Sequence, residues 1–117
     1  MYRLRTLGLA AAATVALTGT ALAHHGWTGY QEDMQKLSGV IEEASYANPH
    51  GSIQLKTADK TWEVVLAPPS RMTTRGLTQE MLKVGSTVTV EGYQSTSDEK
   101  EMRAERISVA GKTVELR

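Results

Sequence analysis

The chain has 117 residues, with 13 basic and 13 acidic side chains, 40% hydrophobic residues and no cysteine. This length indicates a single domain, and the absence of cysteine excludes a disulfide framework and any thiolate metal site. The balanced charge is a poor match to the phosphate backbone of nucleic acids, so no nucleic-acid partner is expected.

The first 23 residues have the pattern of a secretory signal peptide. Arg3 and Arg5 give a basic start, an alanine-rich apolar run covers Leu7–Leu17, and small residues end the segment at Ala21–Ala23. This order predicts cleavage after residue 23 and export to the periplasm. The apolar run is short for a membrane-spanning helix. Cleavage also removes it, so no membrane attachment of the mature chain is expected. The remaining chain has 11 basic and 13 acidic side chains and is slightly acidic.

The mature chain divides into a short arm and one folded domain. Residues 24–35 mix His, Gly, Trp, Tyr and acids without periodicity and are interpreted as an irregular arm, and residues 36–117 as the domain. Within Leu37–Tyr46, apolar residues alternate with one change of phase, which predicts a strand with a bulge at Gly39. Asn48–Gly51 has the composition of a turn.

The alternation of apolar and polar residues predicts two more strands before the only helical segment of the sequence. Ile53–Leu55 and Trp62–Leu66 each present apolar residues at every second position. Ser70–Gly85 is expected to be helical, with Ser70 and Thr78 as caps of two short turns. Its apolar residues Leu77 and Leu82 are expected to close one open end of the domain.

The second half of the domain returns to strands. Apolar and polar residues alternate within Thr87–Tyr93 and within Met102–Val109, where a second bulge is predicted near Glu105. A last edge segment is formed by Val114–Leu116. Three strands, a short helix and two strands are the element order of the OB-fold. The sequence therefore predicts a mainly β fold: a small five-stranded Greek-key OB-like barrel, with one short helix between the third and fourth strands.

The histidines carry the most chemical information. The mature chain has three, His24, His25 and His50. Cleavage before His24 frees an α-amine, with a pKa of about 7.7–8.0, that can bind one metal ion together with the His24 imidazole. His25 or His50 would supply a third nitrogen. Nitrogen-rich tetragonal sets favour Cu(II) or Ni(II), and Cu(II) stands at the head of the affinity order. His50 follows Pro49, which stiffens the turn that presents it.

Two other modes stay open for the same residues. His25, at mature position two, can bind Cu(II) through the amine, an ionised backbone amide and its imidazole. Two adjacent histidines can also hold Cu(I) in a nearly linear arrangement. All these modes predict a metal site made by His24, His25 and His50, with a copper ion as its cofactor and no catalytic residue assigned.

Two further classes of function remain alternatives. OB-type barrels bind oligosaccharides or peptides on one sheet face, and Trp27, Tyr46 and Tyr93 are candidates for such a face. An enzyme that uses the copper chelate for oxygen chemistry is the third class, although no substrate cleft is evident. The leading hypothesis is a periplasmic copper-binding protein that stores, buffers or delivers the ion, with another periplasmic protein as a further partner.

Four motifs give the chain a resemblance to a known family. Ala23–Trp27 has the form Ala-His-His, small residue, aromatic, and Tyr46–His50 has an aromatic followed by Asn-Pro-His. Arg75–Leu77 has an Arg-Gly step, and Val88–Tyr93 alternates valine into glycine and an aromatic. In these motifs the chain resembles a family of small exported bacterial proteins of unknown function. The resemblance implies export and a single OB-like domain, and it implies no activity.

Overall fold

The structure, a computed structural model, describes residues 27–117. In chain order the elements are β1 (Tyr30–Ser45), β2 (Ser52–Lys56), β3 (Thr61–Val65), α1 (Pro69–Thr74), a 3-10 helix (Gln79–Leu82), β4 (Thr87–Ser95), β5 (Glu101–Val109) and β6 (Lys112–Glu115). The fold is mainly β, as the alternation predicts, and both helical segments lie between β3 and β4. Within the described part of the chain, no helix has the length and apolar character needed to cross a membrane.

The strands form one sheet in the order β3-β2-β1-β4-β5-β6, with antiparallel neighbours. An additional parallel pairing joins β3 to β5, where Glu63–Val65 lies beside Glu101–Arg103. The pairings of the first five strands therefore form a closed cycle. The predicted count of five strands is one too low, because the last edge segment pairs with β5 as a sixth strand.

The first strand begins earlier than the sequence predicts. β1 starts at Tyr30, so the last six residues of the predicted irregular arm 24–35 are strand. This part of β1 pairs with the end of β4, from Tyr30 beside Ser95 to Gln35 beside Gly92. Its residues 31–34 are all exposed, so it lacks the apolar alternation by which strands are recognised.

One of the two predicted bulges is where the sequence indicates, and the other is displaced. On β5, Glu105 is the extra residue between two registered pairs. On β1 the register shifts between Ile41 and Glu43, not at Gly39. Gly39 has a different role, because a Cβ there would lie 2.2 Å from the carbonyl oxygen of Lys56. The glycine is required for close approach of two backbones, where β1 changes its partner from β4 to β2.

The core lies on the inner faces of the strands and under the helical segments. Leu77 and Leu82 are fully buried there, so they form the apolar side of the helical segments. The cap of α1 is not Ser70 but Pro68, because Pro69 already occupies the first helical turn. Thr78 caps the 3-10 helix as predicted. The principal buried strand residues are Ile41, Ile53, Leu55, Trp62, Val64, Val88, Val90, Met102, Ala104, Ile107 and Val114.

Candidate functional site

Of the three histidines, the structure places one. His24 and His25 lie outside the described residues. His50 is exposed on the connection between β1 and β2, after the cis Asn48–Pro49 peptide bond. Among residues 27–117 no group of three or more His, Asp or Glu side chains is arranged to hold a metal ion.

The chain is firmly held two residues after the histidine pair. The Trp27 ring has the guanidinium of Arg103 at 4.3 Å and that of Arg117 at 4.5 Å from its centroid. Its ring also meets Tyr93 at 5.9 Å and Tyr30 at 6.5 Å, both edge-on. Cation–π and edge-to-face contacts are each favourable by about 0.5–1.5 kcal/mol. We call Trp27 and these four side chains the Trp27 cluster.

The register of β4 and β5 creates the surface on which Trp27 lies. Tyr93 is directly opposite Arg103 in this antiparallel pair, so both side chains project from the same face. Met102 and Ala104, on either side of Arg103, point into the core. Tyr93 and Arg103 are therefore on the outer face. Tyr93 is nevertheless only 6% exposed, and Trp27 is one of the side chains packed against it.

Both tyrosines of the cluster donate hydrogen bonds to carboxylates. The Tyr30 hydroxyl donates to Glu101 at 2.5 Å, and the Tyr93 hydroxyl donates to Glu105 at 2.8 Å. Burial, followed by these hydrogen bonds, raises the pKa of Tyr30 to about 12 and also raises the pKa of Tyr93. Glu105 also accepts from Arg117 at 3.1 Å. Each tyrosine hydroxyl is thus held as a hydrogen-bond donor to a glutamate side chain.

Tyr30 is expected to make the fold less stable at high pH. Its pKa is about 12 in the folded chain, against about 10 in an unfolded one. The folded state holds the hydroxyl proton more tightly, so this stabilisation is present below pH 10 and is lost as the pH rises to 12. Tyr30→Phe should flatten the fall in the free energy of unfolding over that range, measured by denaturant titration.

Tyr46→Phe is the matched control for this measurement, because the Tyr46 hydroxyl donates to the carbonyl oxygen of Leu77 and not to a carboxylate. Between pH 10 and 12, the slope of the free energy of unfolding against pH should be closer to that of the parent in Tyr46→Phe than in Tyr30→Phe. Equal slopes in the parent and Tyr30→Phe would contradict the assignment.

The sheet register connects His50 to the Trp27 cluster. Ser52, two residues after His50, pairs with Val65, and Val65 pairs with Arg103. Two strand spacings therefore separate Ser52 from Arg103, about 10 Å. This path from the start of β2 to the Trp27 cluster depends on the parallel β3–β5 pairing.

Within residues 27–117, the other arginines contact carboxylates or backbone carbonyls. Arg106 forms ion pairs with Glu91 and Glu115, which raise the pKa of the guanidinium. Arg71 donates to the Leu116 carbonyl, and Arg75 to those of residues 115 and 117. Arg106 thus joins β5 to β4 and β6, and Arg71 and Arg75 join α1 to the C-terminal residues.

Two of the three aromatic residues considered for an oligosaccharide face come together. Trp27 contacts Tyr93, but the Tyr46 hydroxyl bonds to Thr73 and to the Leu77 carbonyl next to α1. The Trp27 ring is already covered by two guanidinium groups. The sequence offered no sign of the arginines' role, although the strand alternation does place Arg103 and Tyr93 on the outer face.

Comparison with solved structures shows a fold that is found within larger proteins. The ZRD-deleted mutant of TiaS in complex with agmatine is similar over 74% of this chain and 26% of its own, with a TM-score of 0.55 and 15% identity. A complex of TiaS with tRNA and ATP is similar over 74% of this chain and 19% of its own, with a TM-score of 0.49 and 19% identity. The chain thus spans about a quarter or less of these matched chains, and the likeness concerns the fold alone.

No curated protein is significantly similar to the chain in sequence. A family model does match, over residues 12–103, which includes most of the described strands. Its description is a family of unknown function, DUF6152. On this match the chain belongs to DUF6152.

Proposed function

We propose that the chain is an exported copper-binding protein of the periplasm that stores, buffers or delivers the ion. Residues 1–23 act as a cleaved signal peptide, so that His24 becomes the first residue. The observation that carries this proposal is the anchoring of Trp27 by Arg103 and Arg117. Because His25 is two residues away, its Cα lies within about 8 Å of that fixed point. A chelating terminus is thereby tethered to a defined surface.

The ligands are nitrogen atoms. The α-amine and imidazole of His24 bind one copper ion, and His25 or His50 completes the set. Amine and imidazole nitrogens in a tetragonal arrangement suit Cu(II), which stands at the head of the affinity order. The alternative modes, with an ionised amide before His25 or with two imidazoles on Cu(I), use the same terminus.

The position of His50 favours its inclusion in the set. It lies two residues before Ser52, which is two strand spacings from Arg103. His24 lies within about 11 Å of Trp27 along the chain. The exposure of His50 leaves its imidazole free to turn toward the terminus. On this basis we include His50 as a candidate third donor beside the terminus.

The architecture we propose is a Greek-key OB-like barrel with β6 added to β5. Support comes from the cycle of pairings through β1, β2, β3, β5 and β4, and from the helical segments between β3 and β4. The Ala-His-His and Asn-Pro-His motifs are, on this proposal, the ligand-bearing motifs of the family. Its partners are the metal ion and a periplasmic protein that gives or receives it.

The tRNA in one TiaS complex does not lead us to a nucleic-acid proposal for this chain. The mature chain has more acidic than basic side chains. Arg71, Arg75 and Arg106 are engaged by backbone carbonyls and carboxylates. Binding to the phosphate backbone depends on clustered Lys and Arg with charge available for phosphate contacts.

Titration of the mature protein with Cu(II) tests the proposal. We expect one equivalent to bind and to give a paramagnetic spectrum of tetragonal nitrogen ligation. Binding should weaken below about pH 6–7, because protons compete for the imidazole and amine nitrogens. Mass spectrometry of protein purified from the periplasm without chelators should report His24 as the first residue and a bound copper ion. Absence of binding, together with a thermal shift on addition of oligosaccharides or peptides, would instead favour the ligand-binding alternative.

A further inference from the structure

The Trp27 cluster contains three aromatic rings in a connected arrangement. Trp27 meets Tyr93 at 5.9 Å and Tyr30 at 6.5 Å between ring centroids. These are the two tyrosines whose hydroxyls donate to carboxylates, Glu101 and Glu105. The cluster thus joins an oxidisable indole to two phenols that each have a proton acceptor in place.

This arrangement is suited to proton-coupled oxidation of tyrosine. A phenol that loses one electron becomes a strong acid, and its proton passes to the hydrogen-bonded carboxylate. The result is a neutral tyrosyl radical and a carboxylic acid, in place of a phenol and a carboxylate. A buried phenol without such an acceptor would instead leave a cation in a poorly solvated position.

The charges around Trp27 favour passage of the oxidising equivalent to tyrosine. The guanidinium groups of Arg103 and Arg117 lie 4.3 and 4.5 Å from the indole centroid and disfavour positive charge on the ring. A tyrosyl radical that has passed its proton to Glu101 carries no charge of its own. The surrounding charges therefore favour transfer of the radical from the indole to the phenols.

The two tyrosines differ in how well each can serve as the final site of the radical. Proton transfer from Tyr93 to Glu105 neutralises a carboxylate that also holds the Arg117 guanidinium at 3.1 Å. Glu101 accepts from Tyr30, and protonation there disrupts no ion pair that the structure shows within residues 27–117. Tyr30 is also only partly buried, so a reductant in solution can reach it. Tyr30 is thus the preferred end point.

We propose that Trp27, Tyr93 and Tyr30 form a relay that removes oxidising equivalents from the copper-binding terminus, and this inference rests on the proposed function. Hydrogen peroxide is the oxidant. Copper(I) gives it one electron, the O–O bond breaks, and hydroxide and a hydroxyl radical form. The radical takes an electron from Trp27 and becomes a second hydroxide. The indole radical cation then takes an electron from Tyr30, whose proton moves to Glu101.

A hydrogen-atom donor in solution, such as ascorbate or a thiol, restores the tyrosine, while the metal remains as Cu(II). It returns an electron and a proton to the Tyr30 oxygen, while the proton on Glu101 returns to solvent. Peroxide has then accepted two electrons, one from copper(I) and one from the donor, and has given two hydroxide ions. The histidines that bind the metal are spared oxidation.

The relay is tested without copper by one-electron oxidation of the metal-free protein with azidyl radicals generated by pulse radiolysis. Trp62 is only 3% exposed, so Trp27 is the accessible indole of the described residues. The absorption of the indole radical should decay in a fast phase as that of the tyrosyl radical rises. Trp27→Phe should remove this fast transfer.

Matched variants locate the end point. Tyr30→Phe should remove most of the fast phase, and Tyr30→Phe combined with Tyr93→Phe should remove all of it. Glu101→Gln keeps a hydrogen-bond acceptor but cannot take the proton, so it should slow the transfer. Tyr46→Phe should leave the transfer unchanged. A fast phase that persists in the double variant, with its fold checked by thermal melting, would overturn the relay.

A second measurement connects the relay to the metal. Copper-loaded mature protein is treated with hydrogen peroxide and ascorbate, and oxidised histidine in its N-terminal peptide is quantified by mass spectrometry. Oxidation of His24 and His25 should be greater in the double tyrosine variant than in the parent. Equal oxidation would refute protection even if the radical transfer is seen. Transfer in the metal-free protein without any copper binding would refute the proposed function and leave the relay intact.

Discussion

Acetylation of the His24 α-amine is expected to weaken Cu(II) binding by the mature protein at least about 100-fold, equivalent to about 3 kcal/mol. The amine is the donor that both terminal Cu(II) modes share. An acetyl group converts it into an amide and, unlike an added residue, supplies no new terminal amine. The measurement is competition of both proteins against a chromophoric copper chelator, with the paramagnetic spectrum recorded in parallel.

The control for the acetylation is stability. Trp27 is held by Tyr30 and by three side chains distant in sequence from the terminus, Tyr93, Arg103 and Arg117. The acetylated protein should therefore melt at the temperature of the parent. Retention of the full affinity and of the same spectrum after acetylation would refute the terminal chelate.

His50→Ala separates the possible ligand sets. If His50 provides the third nitrogen, the substitution weakens Cu(II) binding and changes the spectrum. Since this side chain is exposed, the free energy of unfolding should change by no more than about 0.5 kcal/mol. His25→Ala gives the complementary result. An effect of the His25 substitution alone would assign the third donor to His25.

Gly92→Ala is expected to lower the free energy of unfolding by about 3 kcal/mol or more. A Cβ at this position would lie 2.1 Å from the carbonyl oxygen of Arg103 and 2.8 Å from the Cα of Ala104. Both are backbone atoms of β5, beside the Glu105 bulge, so neither can turn aside like a flexible side chain. The strands must separate locally, which disrupts pairing in the centre of the sheet. Urea denaturation measures the effect.

Gly85→Ala is the matched control for this clash. Gly85 has a φ of +92°, and nothing lies within 4 Å of the position that a Cβ would occupy, so alanine there has backbone strain but no steric contact. Its expected cost is about 1–2 kcal/mol. A smaller loss in Gly92→Ala than in Gly85→Ala would show that β4 and β5 are not as closely apposed as the register requires. Because Tyr93 follows Gly92 and pairs with Arg103, disruption there should also loosen the Trp27 cluster.

Local sequence patterns predicted most of the strands and the helical segments, because each was bounded by residues with a strong preference for turns or helix ends. Alternation identified the strands around Leu55, Val64 and Val90, and the helical segments were placed between β3 and β4. The start of β1 was missed since Gln31, Glu32 and Asp33 are exposed on a strand paired along only one edge. A strand without a buried face has no hydrophobic period to detect.

Gly39 shows how a glycine can be identified correctly and interpreted incorrectly. The phase change beside it indicated a bulge, but the bulge lies at Glu42. The glycine is needed because the Lys56 carbonyl of β2 lies where a Cβ would be. Close approach depends on which strand is the neighbour, and strand order is not encoded in any short segment.

The sequence by itself determined the mainly β character, the place of the helix and the histidine-rich motifs, because these depend on the order of residues over a few positions. Tertiary structure alone decided what surrounds Trp27. Arg103 and Arg117 are 76 and 90 positions away in the chain, and they reach the indole only because β1, β4 and β5 are neighbours in the sheet. Contacts between such distant residues follow from strand pairing, since local propensity specifies a strand but not its partner.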